Sequence, residues 1–175
     1  MRVLGIDPGT HRMGFGILES DGRSYKLVIC GTIRAASKDT IAKRLLHMFE
    51  SLQKNIQSYK PDVMALETLF FAKDIQAVER IGEARACAML AASKQGLEVI
   101  EYSPSAVKKS VTGNGRASKE QVQFMVKRLL NLKEAPALDA SDALAIAMCH
   151  LHSSKSRRVT SIQRPSGLIS NKGIV

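Results

Sequence analysis

Apolar residues open the chain in short runs. Arg2–Ile6 and Met13–Glu19 are separated by a turn at Pro8-Gly9, and Tyr25–Ile33 follows the Asp21-Gly22 turn signal. Such runs bounded by turn residues predict three strands in an antiparallel meander. From about Asp39 to Tyr59 the spacing changes: Ile41, Leu45, Met48, Phe49, Leu52 and Ile56 recur at helical intervals, and Pro61 closes the helix. Val63–Leu66 is continuously apolar, as in a central buried strand. A second long helix is predicted from about Ile75 to Gln95, stopping at Gly96, and Glu98–Tyr102 is a strand. Pro104 suits the first turn of a short helix. After a Gly113-Asn114-Gly115 loop, Ser118 and Gln121 read as a capping box that opens a helix to Leu130. A last helix is expected from about Ala140 to His152. Residues 153–175 are rich in Ser, Lys, Arg and Gly without a sustained period, and are expected to form a disordered basic tail.

The order β-β-β-α-β-α-β-α-α-α implies an α/β domain over residues 1–152, a mixed five-stranded sheet with helices on both faces. Three antiparallel strands, followed by two more reached through helices, form the layout of the ribonuclease H-like fold.

Charge narrows the class of partner. The chain carries 26 Lys and Arg against 16 Asp and Glu, a net +10, which favours a polyanion such as nucleic acid. Beyond Leu151, however, Lys155, Arg157, Arg158, Arg164 and Lys172 meet no acid, which leaves the body at +5. The sharper feature is the segment from Lys108 to Arg128. Lys108, Lys109, Arg116, Lys119, Lys127 and Arg128 face a single acid there, Glu120. Residues of this kind hold phosphates and position nucleic acid without reading its sequence, unless they form only a solvated face. Cys30, Cys87 and Cys149 are scattered through apolar segments without ligand spacing, so they read as buried thiols and zinc is not expected. No apolar run is long enough to span a bilayer and no signal-peptide layout is present, so a cytoplasmic location is expected.

Four carboxylates carry the chemistry. Asp7 ends the first strand, Glu67 ends the buried strand Val63–Leu66, and Asp139 and Asp142 straddle a helix start three residues apart, on one face. Each has a plain structural alternative. Asp7 could bond its own turn, Glu67 could be a solvated strand end, and Asp139 and Asp142 could cap a helix. Neighbouring strands of a central sheet can instead bring Asp7 and Glu67 to one edge. Carboxylates gathered there repel one another unless cations lie between them, and hard oxygen ligands select Mg²⁺ or Mn²⁺. Two such ions roughly 4 Å apart form the clamp for in-line attack on a phosphodiester. Phe70, Phe71 and Lys73 follow Glu67 in an apparent loop. Phe70 is the candidate to stack on an unstacked base, Phe71 stays open, and burial of both in the core is the alternative.

Gly5-Ile6-Asp7-Pro8-Gly9-Thr10, Ala65-Leu66-Glu67, Phe70-Phe71-Ala72-Lys73 and Asp139-Ala140-Ser141-Asp142-Ala143-Leu144-Ala145 together resemble the RuvC family of bacterial Holliday junction resolvases. They do so in order and at family-like spacing, from Arg2 to about His152. The resemblance implies a homodimeric Mg²⁺-dependent endonuclease that nicks two opposed strands of a four-way DNA junction. Asp7, Glu67, Asp139 and Asp142 match the family's catalytic acids, and Phe70 matches an aromatic that contacts bases near the crossover. Lys108 and Lys119 fall in its DNA-facing segment. The helix with Gly82 and Arg85 matches its dimer element, and RuvA and RuvB, the branch-migration proteins, are the implied partners.

Three other readings compete. Gly-Ile-Asp-Pro-Gly-Thr also resembles the first phosphate loop of actin-like and sugar-kinase ATPases, but this chain is about half their length and has no second copy of the motif. A non-catalytic junction-binding module would use the carboxylates only as caps and turns. A nuclease acting on RNA–DNA hybrids or flaps would keep the site and change the substrate.

Overall fold

Hydrophobic alternation along the strands divides the molecule into two cores, one on each face of a single sheet. The computed structural model describes residues 1–68 and 75–162, with side chains through 154. The described elements run β1 (Arg2–Asp7), β2 (Arg12–Ser20), β3 (Tyr25–Arg34), α1 (Ile41–Tyr59), β4 (Val63–Glu67), α2 (Ile75–Lys94), β5 (Glu98–Tyr102), α3 (Pro104–Thr112), α4 (Lys119–Leu129) and α5 (Leu138–Ile162). The strands lie in the order β3-β2-β1-β4-β5. β1 is antiparallel to β2 and β2 to β3, while β1–β4 and β4–β5 are parallel. This is the ribonuclease H-like arrangement that the element order predicts.

Successive strand side chains point to opposite faces. Leu4 and Ile6 of β1 and Met64 and Leu66 of β4 pack with Met48, Leu52 and Ile56 of α1 and Ala84, Ala88 and Ala91 of α2. Val3, Val63 and Ala65 point the other way, into a core completed by α3, α4 and α5. Asp7 and Glu67 keep the parity of Val3 and Val63, so both emerge on the α5 face at the sheet's edge. In the β1–β4 register they follow directly on the pair Ile6↔Leu66.

α5 lies unusually close to the strands because glycine admits it. A Cβ on Gly5 would collide with the Ala143 carbonyl oxygen and stand 2.8 Å from the Ala147 amide nitrogen. At Gly14, the partner of Asp7 in β2, it would strike the backbone of Asp139. Small residues of α5, Ala140, Ala143 and Ala147, meet these gaps, and all are buried.

Thr40 caps α1 by accepting from the Lys43 amide, Ser103 does the same for α3, and Ser118 and Gln121 form the predicted capping box of α4. Two boundaries differ from expectation. α5 begins at Leu138, with the Ser141 amide bonded to the Ala137 carbonyl, so Asp139 sits inside its first turn and not at its cap. The helix also continues past His152 to Ile162. Ser153 and Ser154 turn their hydroxyls back onto the carbonyls of Cys149 and Leu151, and no Pro or Gly interrupts the chain before Pro165. The part of the expected tail at 163–175 lies outside the described residues. Among the described residues no helix is long and apolar enough to cross a membrane.

Candidate active site

Three of the four predicted acids open into one cleft. Asp7 of β1, Glu67 of β4 and Asp142 of α5 line a cavity of about 80 Å³ with Lys108 of α3 and Lys119 of α4. Its apolar walls are Pro104, Val107, Val122, Ala145 and Ile146. Asp139 does not line this cavity, yet it stands close enough for its charge to act on Asp7.

The electrostatics separate Asp7 from a turn aspartate. Burial, then the charge of Asp142, push its carboxyl up to about 7, with Glu67 and Asp139 adding to the rise and Lys119 opposing it. Asp21 provides the internal contrast. Its Oδ1 accepts from the amides of Arg23 and Ser24 at 2.8 and 2.9 Å, and these backbone bonds hold its carboxyl below the usual range. Among the described residues no hydrogen bond reaches the Asp7 carboxylate, so the turn alternative at Asp7 has no bond to rest on. Glu67 is also raised, chiefly by burial and then by Asp142, while Lys119, Lys108 and Arg85 pull it down.

The cleft supplies its own cation. Lys119 Nζ donates to Asp142 Oδ2 at 2.9 Å, and that bond, with the charges of Asp7 and Glu67, raises the lysine. As they stand, no three His, Cys, Asp or Glu side chains among the described residues close on one point as a preformed metal cage. The donor set still fits a hard divalent cation. It offers oxygen ligands only, crowded enough to raise the two deepest carboxyls, in a cleft whose counter-charge is a displaceable lysine.

Other predicted residues are dispersed. Lys108 is half-buried at the cleft, whereas Lys109 and Arg116 are exposed on α3 and the following loop, outside the lining. Phe70, Phe71 and Lys73 lie outside the described residues. Arg85, assigned with Gly82 to a dimer contact, is buried on α2, where its Nη2 pairs with Glu101 of β5 in its own chain and its buried Nη1 has no partner among the described residues. Sequence reasoning overlooked Gly14 and Gly16 of β2, which let the helix bearing Asp139 and Asp142 approach the strands. Glycines two apart in a strand, opposite alanines at helical spacing, were the available signal.

Comparison with known proteins agrees with this geometry. The family model for crossover junction endodeoxyribonuclease RuvC matches residues 3–150. A crossover junction endodeoxyribonuclease RuvC from Caldicellulosiruptor saccharolyticus is 48% identical over 158 residues, which is 89% of this chain and 95% of the relative. One from Geobacter sulfurreducens is 46% identical, covering 91% and 97%. The solved structure of T. thermophilus RuvC in complex with Holliday junction substrate superposes with a TM-score of 0.85 at 30% identity, covering 90% of this chain and 96% of that one. The chain belongs to the RuvC family of crossover junction endodeoxyribonucleases.

Proposed function

We propose that this protein resolves Holliday junctions, cutting two opposed strands of a four-way DNA junction by paired symmetric nicks in recombination and repair. The observation that carries the reading is the meeting of acids from β1, β4 and α5 in one cleft beside Lys108 and Lys119. Family membership supports it, as does the likeness to a relative solved on a Holliday junction.

In the proposed mechanism Asp7, Glu67, Asp139 and Asp142 would hold two Mg²⁺ ions, with Mn²⁺ able to substitute. Bound there, the pair supplies Lewis acidity, activating water for in-line attack on phosphorus and stabilising the departing 3′ oxygen. Asp7, fixed at the end of β1, would be the candidate to serve both ions. With its carboxyl raised to about 7, chiefly by burial and then by the charge of Asp142, Asp7 would be the acid most relieved by a bound cation. Glu67 and Asp142 complete the cleft side of the set, and Asp139 approaches from the α5 turn. Lys119 is the ammonium that gives up Asp142 and turns to a phosphate oxygen when DNA arrives. Lys108, which also lines the cleft, grips the phosphate backbone beside it, and Lys109, Arg116 and Lys73 hold flanking phosphates. Phe70 stacks on a base opened at the crossover.

Paired nicks need two copies of the site, and a two-fold homodimer matches the near-symmetry of the junction. We place its contact on the α2 helix that carries Gly82, with Arg85 supporting that helix from inside. The proposed setting is the cytoplasm, with RuvA and RuvB as partners. The test compares a labelled four-way junction with linear duplex and RNA–DNA hybrid of equal length in Mg²⁺. Symmetric nicks in the junction alone support the reading. Cleavage of the hybrid instead would overturn the substrate and keep the site.

A further inference from the structure

A second basic surface stands at the same sheet edge as Asp7, on the side away from α3 and α4. Arg12 and Arg34 are directly opposed across β2 and β3, and both side chains are exposed. Neither guanidinium makes an ion pair or a hydrogen bond among the described residues. Like charges directly opposed on neighbouring strands destabilise a sheet. Behind them, Arg44 of α1 lies against the His11 ring, Nη1 3.0 Å from Nδ1, and its buried Nε has no partner among the described residues. His11 itself is tied to this corner through its carbonyl, which accepts from the Ala35 amide at 3.1 Å. Around them Lys38 and Lys43 are exposed, with Asp39 as the single acid of the segment from Arg34 to Arg44.

The position is as informative as the charge. Arg12 precedes Gly14 by two residues on β2, so it emerges on the α5 face one step beyond the glycine that pairs with Asp7 and touches Asp139. The strip thus flanks the carboxylate cleft on one side, while Lys108 and Lys119 border it on the other. Unpaired arginines at such an edge lack one thing, an anion with several oxygen acceptors spaced along it.

We infer that Arg12 and Arg34 form a second phosphate-binding strip that holds the DNA backbone on the β2–β3 side of the cleft. Nucleic acid then crosses the acids with a basic contact on either side. This deepens the proposed function and rests on it. Arg12 and Arg34 position substrate and are not catalytic residues.

The test measures binding of the full-length protein to a fluorescent four-way junction in EDTA, where nothing is cut, over a series of salt concentrations. Arg12→Gln/Arg34→Gln should weaken binding about tenfold and flatten the dependence of log affinity on log salt by about one unit for each phosphate no longer neutralised. The Arg12→Lys/Arg34→Lys pair should restore most of the slope, because an ammonium still neutralises a phosphate. Thermal melting of the Gln pair should equal or exceed that of the wild type, since a repulsion has been removed. Wild-type slope and affinity in the Gln pair, with the wild type itself binding tightly, would overturn the strip and leave the proposed function standing. Failure of the wild type to bind the junction would overturn the functional reading instead.

Discussion

Lys119 Nζ sits 2.9 Å from Asp142 Oδ2, and the same ammonium lowers the carboxyls of Asp7 and Glu67. With 65% of the Lys119 side chain exposed, the pair adds little to stability. Its effect is electrostatic: one displaceable cation offsets three crowded acids. Lys119→Met should therefore fold normally, with a melting temperature near the wild type, yet slow junction nicking by about tenfold or more, as when a charge that faces the reacting phosphate is removed. Lys119→Arg should retain much of the rate. Timed junction cleavage beside thermal melts separates these outcomes, and an unchanged rate in Lys119→Met would remove the lysine from the site.

Stability should depend on pH through Asp7. Its carboxyl is raised from 3.8 to about 7 in the folded chain, so between those values the folded state binds more protons than the unfolded one. Stability then falls as pH rises through that window. In EDTA the melting temperature should drop from about pH 4 to about pH 7, and Asp7→Asn should flatten the curve and melt about 5 °C higher at the upper end. Added Mg²⁺ should restore stability to the wild type at the alkaline end and do less for Asp7→Asn. Parallel pH profiles for the two proteins would contradict the assignment.

The close approach of α5 to β1 makes a separate prediction. Gly5→Ala would drive a methyl group into the Ala143 carbonyl, and backbone cannot yield as the end of a side chain can. Overpacking of this kind costs about 1–3 kcal/mol. A lower denaturation midpoint should accompany reduced nicking, because the displaced helix carries Asp139 and Asp142. Ala at Gly22, where nothing lies nearby but φ is +93°, should cost some stability and leave nicking intact.

Arg85 and Glu101 bear on the proposed dimer. The pair joins α2 to β5 with the arginine side chain 10% exposed and the glutamate 38%. Arg85→Ala should cost roughly 2 kcal/mol as a charged hydrogen bond is removed. At temperatures where the variant is folded, sedimentation should show the same oligomeric state as the wild type. Loss of self-association with unchanged stability would place Arg85 itself in the proposed contact.

Much of the architecture is legible in the sequence because it rests on local signals. Pro8-Gly9, Asp21-Gly22, Ser118 with Gln121 and Gly96 punctuate the chain where the elements change. Parity along β1 and β4 likewise decides the face on which Asp7 and Glu67 emerge, and parity is a property of sequence. The rest depends on distance through space. The partner of Arg85 cannot be read from its helix, because Glu101 reaches it only from β5. The far end of α5 reads too short because the Ser- and Lys/Arg-rich stretch from Ser153 looks like a disordered tail, whereas with no Pro or Gly before Pro165 the helix runs on to Ile162. Gly14 resembles an ordinary strand glycine until α5 lies across it. Arg12 and Arg34 are far apart in the chain and become neighbours only through strand register.

The central claim is that Asp7, Glu67, Asp139 and Asp142 perform the cutting and do not serve as caps and turns. The most direct measurement places Asp7→Asn and wild-type protein on the same labelled four-way junction in Mg²⁺, scoring bound and nicked DNA together. The account predicts paired nicks from the wild type, and from Asp7→Asn binding of equal or greater affinity with no nicks. Wild-type nicking by Asp7→Asn, or binding without cleavage by either protein in Mg²⁺ and in Mn²⁺ across several junction sequences, would contradict it.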